Sequence, residues 1–205
     1  MKGYTSAGVL LSAMLLVSAC DGAPGTWFGS GGKADSSHYH EPVQKSGSEA
    51  VMAYESKEVR EVELIGIRGT SIGKAKLSQA ADGVRIQLDA AHLPPGVHGF
   101  HVHESGKCEA PDFKSAGAHF NPGGRKHGTE NPEGAHAGDM PNIEADANGM
   151  AKADFVMKGL TLEKGKPTSL LKDGGTSLVL HEKADDYKTD PSGNSGARIS
   201  CGVIR

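Results

Sequence analysis

Six stretches of the chain place apolar residues at about every second position: VREVELIG (59–66), GKAKLSQ (73–79), GVRIQLDA (83–90), GFHVHE (99–104), MAKADFVMKG (150–159) and TSLVLHE (176–182). Successive strand side chains point to opposite faces, so a period of two marks a strand with one face in a core. Gly, Asp or Pro interrupts the stretches, and helical periodicity is almost absent. Short strands joined by turn residues predict an all-β domain over residues 59–205, long enough to bury a real core. Two segments lack alternation. Residues 105–143 are rich in Gly, Pro, His and Asn, and EKADDYKTDPSGNSG (182–196) is a shorter polar loop. A long loop inside a compact domain is usually functional and needs something to order it; a disulfide from Cys108 and a metal are the two staples on offer.

The first residues follow other rules. MKGYTSAGVLLSAMLLVSAC has Lys2 before an apolar run from about residue 7 to 17. The run is too short and too close to the start for a spanning helix, and it ends in small residues, so residues 1–19 read as a secretion signal. Its exit, VSAC, resembles the bacterial lipoprotein signal, in which the Cys becomes the lipidated first residue; here that is Cys20. Residues 20–58 then read as a lipidated Cys and a flexible tether rich in Gly, Ser, Lys and Glu. His38 and His40, in HYH, belong to that solvated tail.

Export implies an oxidising compartment. There are three Cys, and if Cys20 carries lipid, Cys108 and Cys201 remain as one pair. The net charge of −3 argues against general nucleic-acid affinity. Membrane association through lipid at Cys20, on the extracytoplasmic side, is the expectation; a single acyl chain holds weakly, so a stable anchor needs more than one. No motif selects between a monomer and a homodimer.

Histidine is the residue that changes the picture. Of ten, seven lie between His92 and His136, and an eighth is His181. His101 and His103, two apart on an expected strand, project from one face, with Val102 on the core side. His119, His127, His136 and Asp139 follow at spacings of eight, nine and three. Three imidazoles and a carboxylate suit a tetrahedral ion such as zinc. His101, His103, His181 and one further imidazole make a nitrogen-only set of the kind copper favours. His98 reads as a supporting or surface histidine, and His92 as a surface one.

GFHVHESGKC, SAGAHFNPGGRKHG, HAGDMPN, LVLHEKADD and GARISCGVI, in that order between about residues 62 and 204, resemble the copper/zinc superoxide dismutase family, in its secreted bacterial lipoprotein form. The resemblance implies an eight-stranded Greek-key β-sandwich, a flattened immunoglobulin-like barrel with two long functional loops. It implies one copper and one zinc ion per subunit. The copper ligands would be His101, His103, His119 and His181, and the zinc ligands His119, His127, His136 and Asp139, with His119 shared. It further implies a Cys108–Cys201 disulfide, Arg198 beside the copper, and Asp185 linking a copper-ligand and a zinc-ligand histidine. The implied activity is disproportionation of superoxide to oxygen and hydrogen peroxide, protecting the cell surface or envelope. A non-catalytic copper- and zinc-binding lipoprotein is the alternative; the whole copper set favours the enzyme. The second loop is shorter than in the familiar eukaryotic enzymes, which weakens the case for superoxide steering by its acids, Glu182, Asp185, Asp186 and Asp190.

Overall fold

A computed structural model describes residues 59–205. The signal segment, Cys20 and the tether with His38 and His40 lie outside the described residues. Each alternating stretch forms a strand, and three further strands, β4, β6 and β9, complete the set among the described residues: β1 (Val59–Gly66), β2 (Ser71–Gln79), β3 (Gly83–Ala90), β4 (Gly96–His98), β5 (Phe100–His103), β6 (Ile143–Ala145), β7 (Ala151–Lys158), β8 (Thr176–His181) and β9 (Arg198–Ile204). Seven form an antiparallel sheet in the order β5-β8-β9-β1-β2-β3-β7, and β4 pairs with β6. β4 and β5 are one strand interrupted at Gly99, which gives the eight strands expected.

Gly99 is where that strand changes partner. Its N–H donates to the Lys183 carbonyl at 2.8 Å, and its carbonyl accepts from the His181 N–H at 2.9 Å. Before it, the chain pairs with β6; after it, with β8. A tight turn carries β6 into β7 at the far end of the large sheet, so the sheet curls into the flattened barrel. Neither β4 nor β6 was visible in the sequence pattern, because three residues are too few to show alternation.

The inner face holds Val62, Leu64, Leu77, Val84, Ile86, Leu88, Leu178 and Leu180, with Phe100, Phe120 and Met140 closing it. Aliphatic side chains dominate, as the composition required. Val102 is fully buried in this core. Its neighbours His101 and His103 therefore point from the opposite face. A smaller cluster, Phe113, Ala116, Val179 and Cys201 with Ile65 and Cys108, packs the start of the long loop on the outer face of the sheet. The Cys108–Cys201 disulfide fixes it there.

Candidate metal centre

The free edge of β5 is where the long loop attaches. The Val102 N–H donates to the Gly138 carbonyl at 2.9 Å, and the Phe120 N–H donates to the Val102 carbonyl at 2.8 Å. His103 thereby comes opposite His119, and His101 opposite Asp139. On its other edge β5 is hydrogen-bonded to β8, which ends at His181. A strand, its neighbour and a loop thus deliver six histidines and one aspartate to one place.

Two overlapping groups result, each with its potential ligand atoms within 4.8 Å of one another: His101, His103, His119 and His181, and His119, His127, His136 and Asp139. In the first, His103 Nδ1 donates to the Gly117 carbonyl at 2.9 Å, leaving its Nε2 lone pair 3.4 Å from His181 Nε2. His101 Nε2 donates to Asp185 at 2.7 Å. His101 Nδ1 and His119 Nε2 are buried and have no hydrogen-bond partner. Unpartnered buried nitrogen is costly unless an ion takes the lone pair, so these two atoms fit a metal on that side.

In the second group the Nδ1 atoms of His119, His127 and His136 lie 2.9, 3.1 and 3.1 Å from Asp139 Oδ1. Ligand atoms around a tetrahedral zinc ion are spaced by about 3.3 Å, so the donor set matches that ion in type and spacing. Asp139 Oδ2 meanwhile accepts from the Gly128 and His136 N–H groups at 2.9 and 3.0 Å. One oxygen orders the loop while the other faces the ligand set.

Asp185 spans both groups: Oδ2 holds His101 and Oδ1 accepts from His127 Nε2 at 3.0 Å. These bonds fix the tautomers, so His101 and His127 both present Nδ1. Asn142 clamps the Asp185 backbone on both sides, donating to its carbonyl at 2.9 Å and accepting from its N–H at 2.9 Å. Asn142 lies in the motif HAGDMPN, but nothing in the sequence showed what it would touch.

Electrostatics favour neutral rings at His103, His119 and His181. Burial, with the charge of His119 next, pushes His103 well below its ordinary value. Burial also takes His119 down to about 4 and His181 to about 3. Neutral rings keep their lone pairs for a metal. His127 goes the other way. Burial opposes its charge, but hydrogen bonds to Asp139 and Asp185 prevail and raise it to about 9. Burial likewise opposes the charge of Asp139 and Asp185, and their histidine partners hold both well below the usual carboxylate range.

Arg198 sits beside the first group, paired across strands with His181. Its guanidinium donates to the Phe113 and Gly117 carbonyls, each at 2.7 Å. It does not take up the ion pair with Asp185 or Asp186 that their closeness in sequence allowed. The Gly117 carbonyl serves both Arg198 and His103, so the disulfide-bound loop orients a ligand and a charge together. His98 is buried, 2 % exposed, which removes the surface reading. Its nitrogens meet the His181 and Pro94 carbonyls at 2.8 and 2.7 Å, so it supports the His181 backbone from behind. His92 is exposed, as expected of a surface histidine, at a shallow cleft with Ile67 and Pro94.

Comparison with known proteins agrees with this geometry. Residues 71–204 match the family model described as copper/zinc superoxide dismutase. A superoxide dismutase [Cu-Zn] of Aquifex aeolicus is 54 % identical over 144 residues, covering 70 % of this chain and 85 % of that protein. The superoxide dismutase-like protein YojM of Bacillus subtilis is 45 % identical over 147 residues, covering 70 % and 74 %. A crystal structure of a superoxide dismutase-like protein from Bacillus subtilis superposes with a TM-score of 0.69 at 42 % identity, covering 71 % of this chain and 97 % of that one. With the sheet order, the paired ligand groups and the sequence match in agreement, the chain belongs to the copper/zinc superoxide dismutase family.

Proposed function

We propose that this protein is a superoxide dismutase, converting two superoxide anions and two protons to oxygen and hydrogen peroxide. One observation carries this reading: the first group is whole, with four imidazoles converging and two buried lone pairs left open, and it shares His119 with a complete second group. In this assignment His101, His103, His119 and His181 hold copper, and His119, His127, His136 and Asp139 hold zinc. Copper, when bound, would supply the one-electron exchange, and zinc, when bound, would hold together the loop residues His119, His127, His136 and Asp139.

The side chains do the rest. Arg198 presents a fixed positive charge held by two carbonyls, and so attracts and orients a small anion beside the copper ligands. His119 Nε2 faces the copper group without a protein partner, so it would hold either the metal or, with that bond open, a proton for the reduced product. Asp185 keeps the rings on either side from turning. Purified protein loaded with copper and zinc should remove superoxide, and His181→Ala should abolish that removal. A loaded wild type that is inert would leave a metal-binding lipoprotein as the better reading.

The same reading includes export, with residues 1–19 as the signal, lipid on Cys20 and residues 20–58 as tether to the catalytic domain. The VSAC exit supports it, and the Cys108–Cys201 disulfide suits an oxidising compartment. Cys20→Ser should move the protein from the membrane fraction to the soluble extracytoplasmic fraction; unchanged membrane association would sink the lipid assignment.

A further inference from the structure

In the second loop, Asp186 and Asp190 are engaged in holding structure. Asp186 accepts from the Lys188 and Thr189 N–H groups at 2.9 and 2.8 Å and from the Thr189 hydroxyl and Asn194 amide at 2.6 and 2.9 Å, which stiffens the loop on itself. Asp190 reaches across to the long loop, where its Oδ1 accepts from the His127 backbone N–H at 2.7 Å.

Further contacts join the same two segments. The Glu130 N–H donates to the Tyr187 carbonyl at 3.0 Å, and the Tyr187 hydroxyl accepts from the Asn142 N–H at 2.8 Å. Lys188 pairs with Glu130 at 2.8 Å. The approach is close enough to demand glycine: a Cβ on Gly128, whose φ is 99°, would collide with the Tyr187 carbonyl. A Cβ on Gly193 would strike the Asp185 carboxylate and His127. His127 is therefore gripped twice by one loop, at its backbone by Asp190 and at ring Nε2 by Asp185.

We propose that this short loop is a clasp that retains the zinc-site ion, and that Asp190 is a positioning residue for His127. The proposal rests on the reading of His119, His127, His136 and Asp139 as the zinc ligands. The asymmetry of the contacts gives it content. Asp190 touches the backbone of a residue that is in the second group and not in the first, whereas the copper group meets the loop through Asp185 and, at 3.4 Å, through the Gly196 carbonyl. Loss of Asp190 should then loosen zinc and spare copper. Partners that orient metal ligands are worth roughly 10–100-fold in metal affinity when removed.

The test uses the full chain with copper bound, titrated with zinc(II) against a competing chelator, and with cobalt(II) as a spectroscopic probe of ligand geometry. Asp190→Ala should weaken zinc binding by about tenfold or more, alter the visible cobalt bands, and leave copper affinity within about twofold. Asp190→Asn keeps an oxygen facing the His127 N–H and should recover most of the loss. Tyr187→Phe, which removes the hydroxyl contact to Asn142, should weaken zinc in the same direction by less. Unchanged zinc affinity in Asp190→Ala overturns the proposal. So does an equal loss of copper affinity, or of the melting temperature of the metal-free protein, since either would mean general loosening. Asp190→Asn as weak as Asp190→Ala overturns the hydrogen-bond role. Wild type that binds no zinc(II) overturns both this inference and the ligand assignment beneath it.

Discussion

His119 divides the centre into two halves that are built differently. On the copper side, His101 and His103 stand on β5 and His181 ends β8, with main chains locked in sheet hydrogen bonds. On the zinc side, His127, His136 and Asp139 lie outside any strand. There, order comes from side chains reaching backbone: Asp139 Oδ2 to Gly128 and His136, Asp190 to His127. Sheet hydrogen bonds and a packed core hold the first half whether or not a ligand is present. The second half is held partly by its own ligand residues, so the ion that satisfies them also sets the loop.

Removing both metals tests this difference most severely. Amide exchange over residues 125–142 should quicken by about two orders of magnitude, while β5 and β8 change little, because loop amides open locally and strand amides only with the sheet. Equal acceleration in both regions would erase the distinction. Breaking the disulfide by Cys108→Ser with Cys201→Ser acts on the frame itself. The cysteines are 93 residues apart, and chain entropy predicts a loss of about 4–5 kcal/mol as an upper value, read from the urea midpoint.

In metal-free protein His103 and His181 should respond to pH with the opposite sign to His127, while Asp139, held well below the usual carboxylate range, adds to the acid limb. His103, His119 and His181 have folded-state values below their unfolded ones. Their unfolded forms bind more protons, so stability is lost as pH falls from about 6.5 toward the values of about 4 and about 3 for His119 and His181. His127 is raised to about 9, so its contribution is full below about 6.5 and is lost as pH rises through about 9. Urea midpoints measured against pH should show both limbs, and His127→Ala should remove the alkaline one. The smallest change expected is from Arg198→Gln. Superoxide removal should fall about tenfold and lose part of its salt dependence, with both metals still bound. An unaltered salt dependence would remove Arg198 from anion attraction.

How legible this was in the sequence follows the same division. β1 and β3 lie where alternation places them, and the seven residues to which the motifs point converge in two groups that could hold a metal. The period of two also predicted that His101 and His103 share a face with Val102 in the core. Asn142, Tyr187, Asp190 and the carbonyls of Phe113 and Gly117 were not identified as parts of the site. They act through main-chain atoms or on main-chain atoms, and such contacts leave no residue pattern. For His98 the sequence leaves supporting and surface roles open for the same reason, since both of its partners are carbonyls.

What the sequence determined by itself was local: strand periodicity, the side on which each imidazole leaves its strand, and the donor types suited to copper and zinc. These depend on neighbours one or two positions away, so a single chain reading suffices. Only the tertiary structure decided which nitrogen of each histidine is free, how Asp185 ties His101 to His127, and that the second loop grips the zinc half. Those facts depend on contacts between residues dozens of positions apart, whose distances and hydrogen-bond directions are set when the curled sheet and the disulfide bring the loops together.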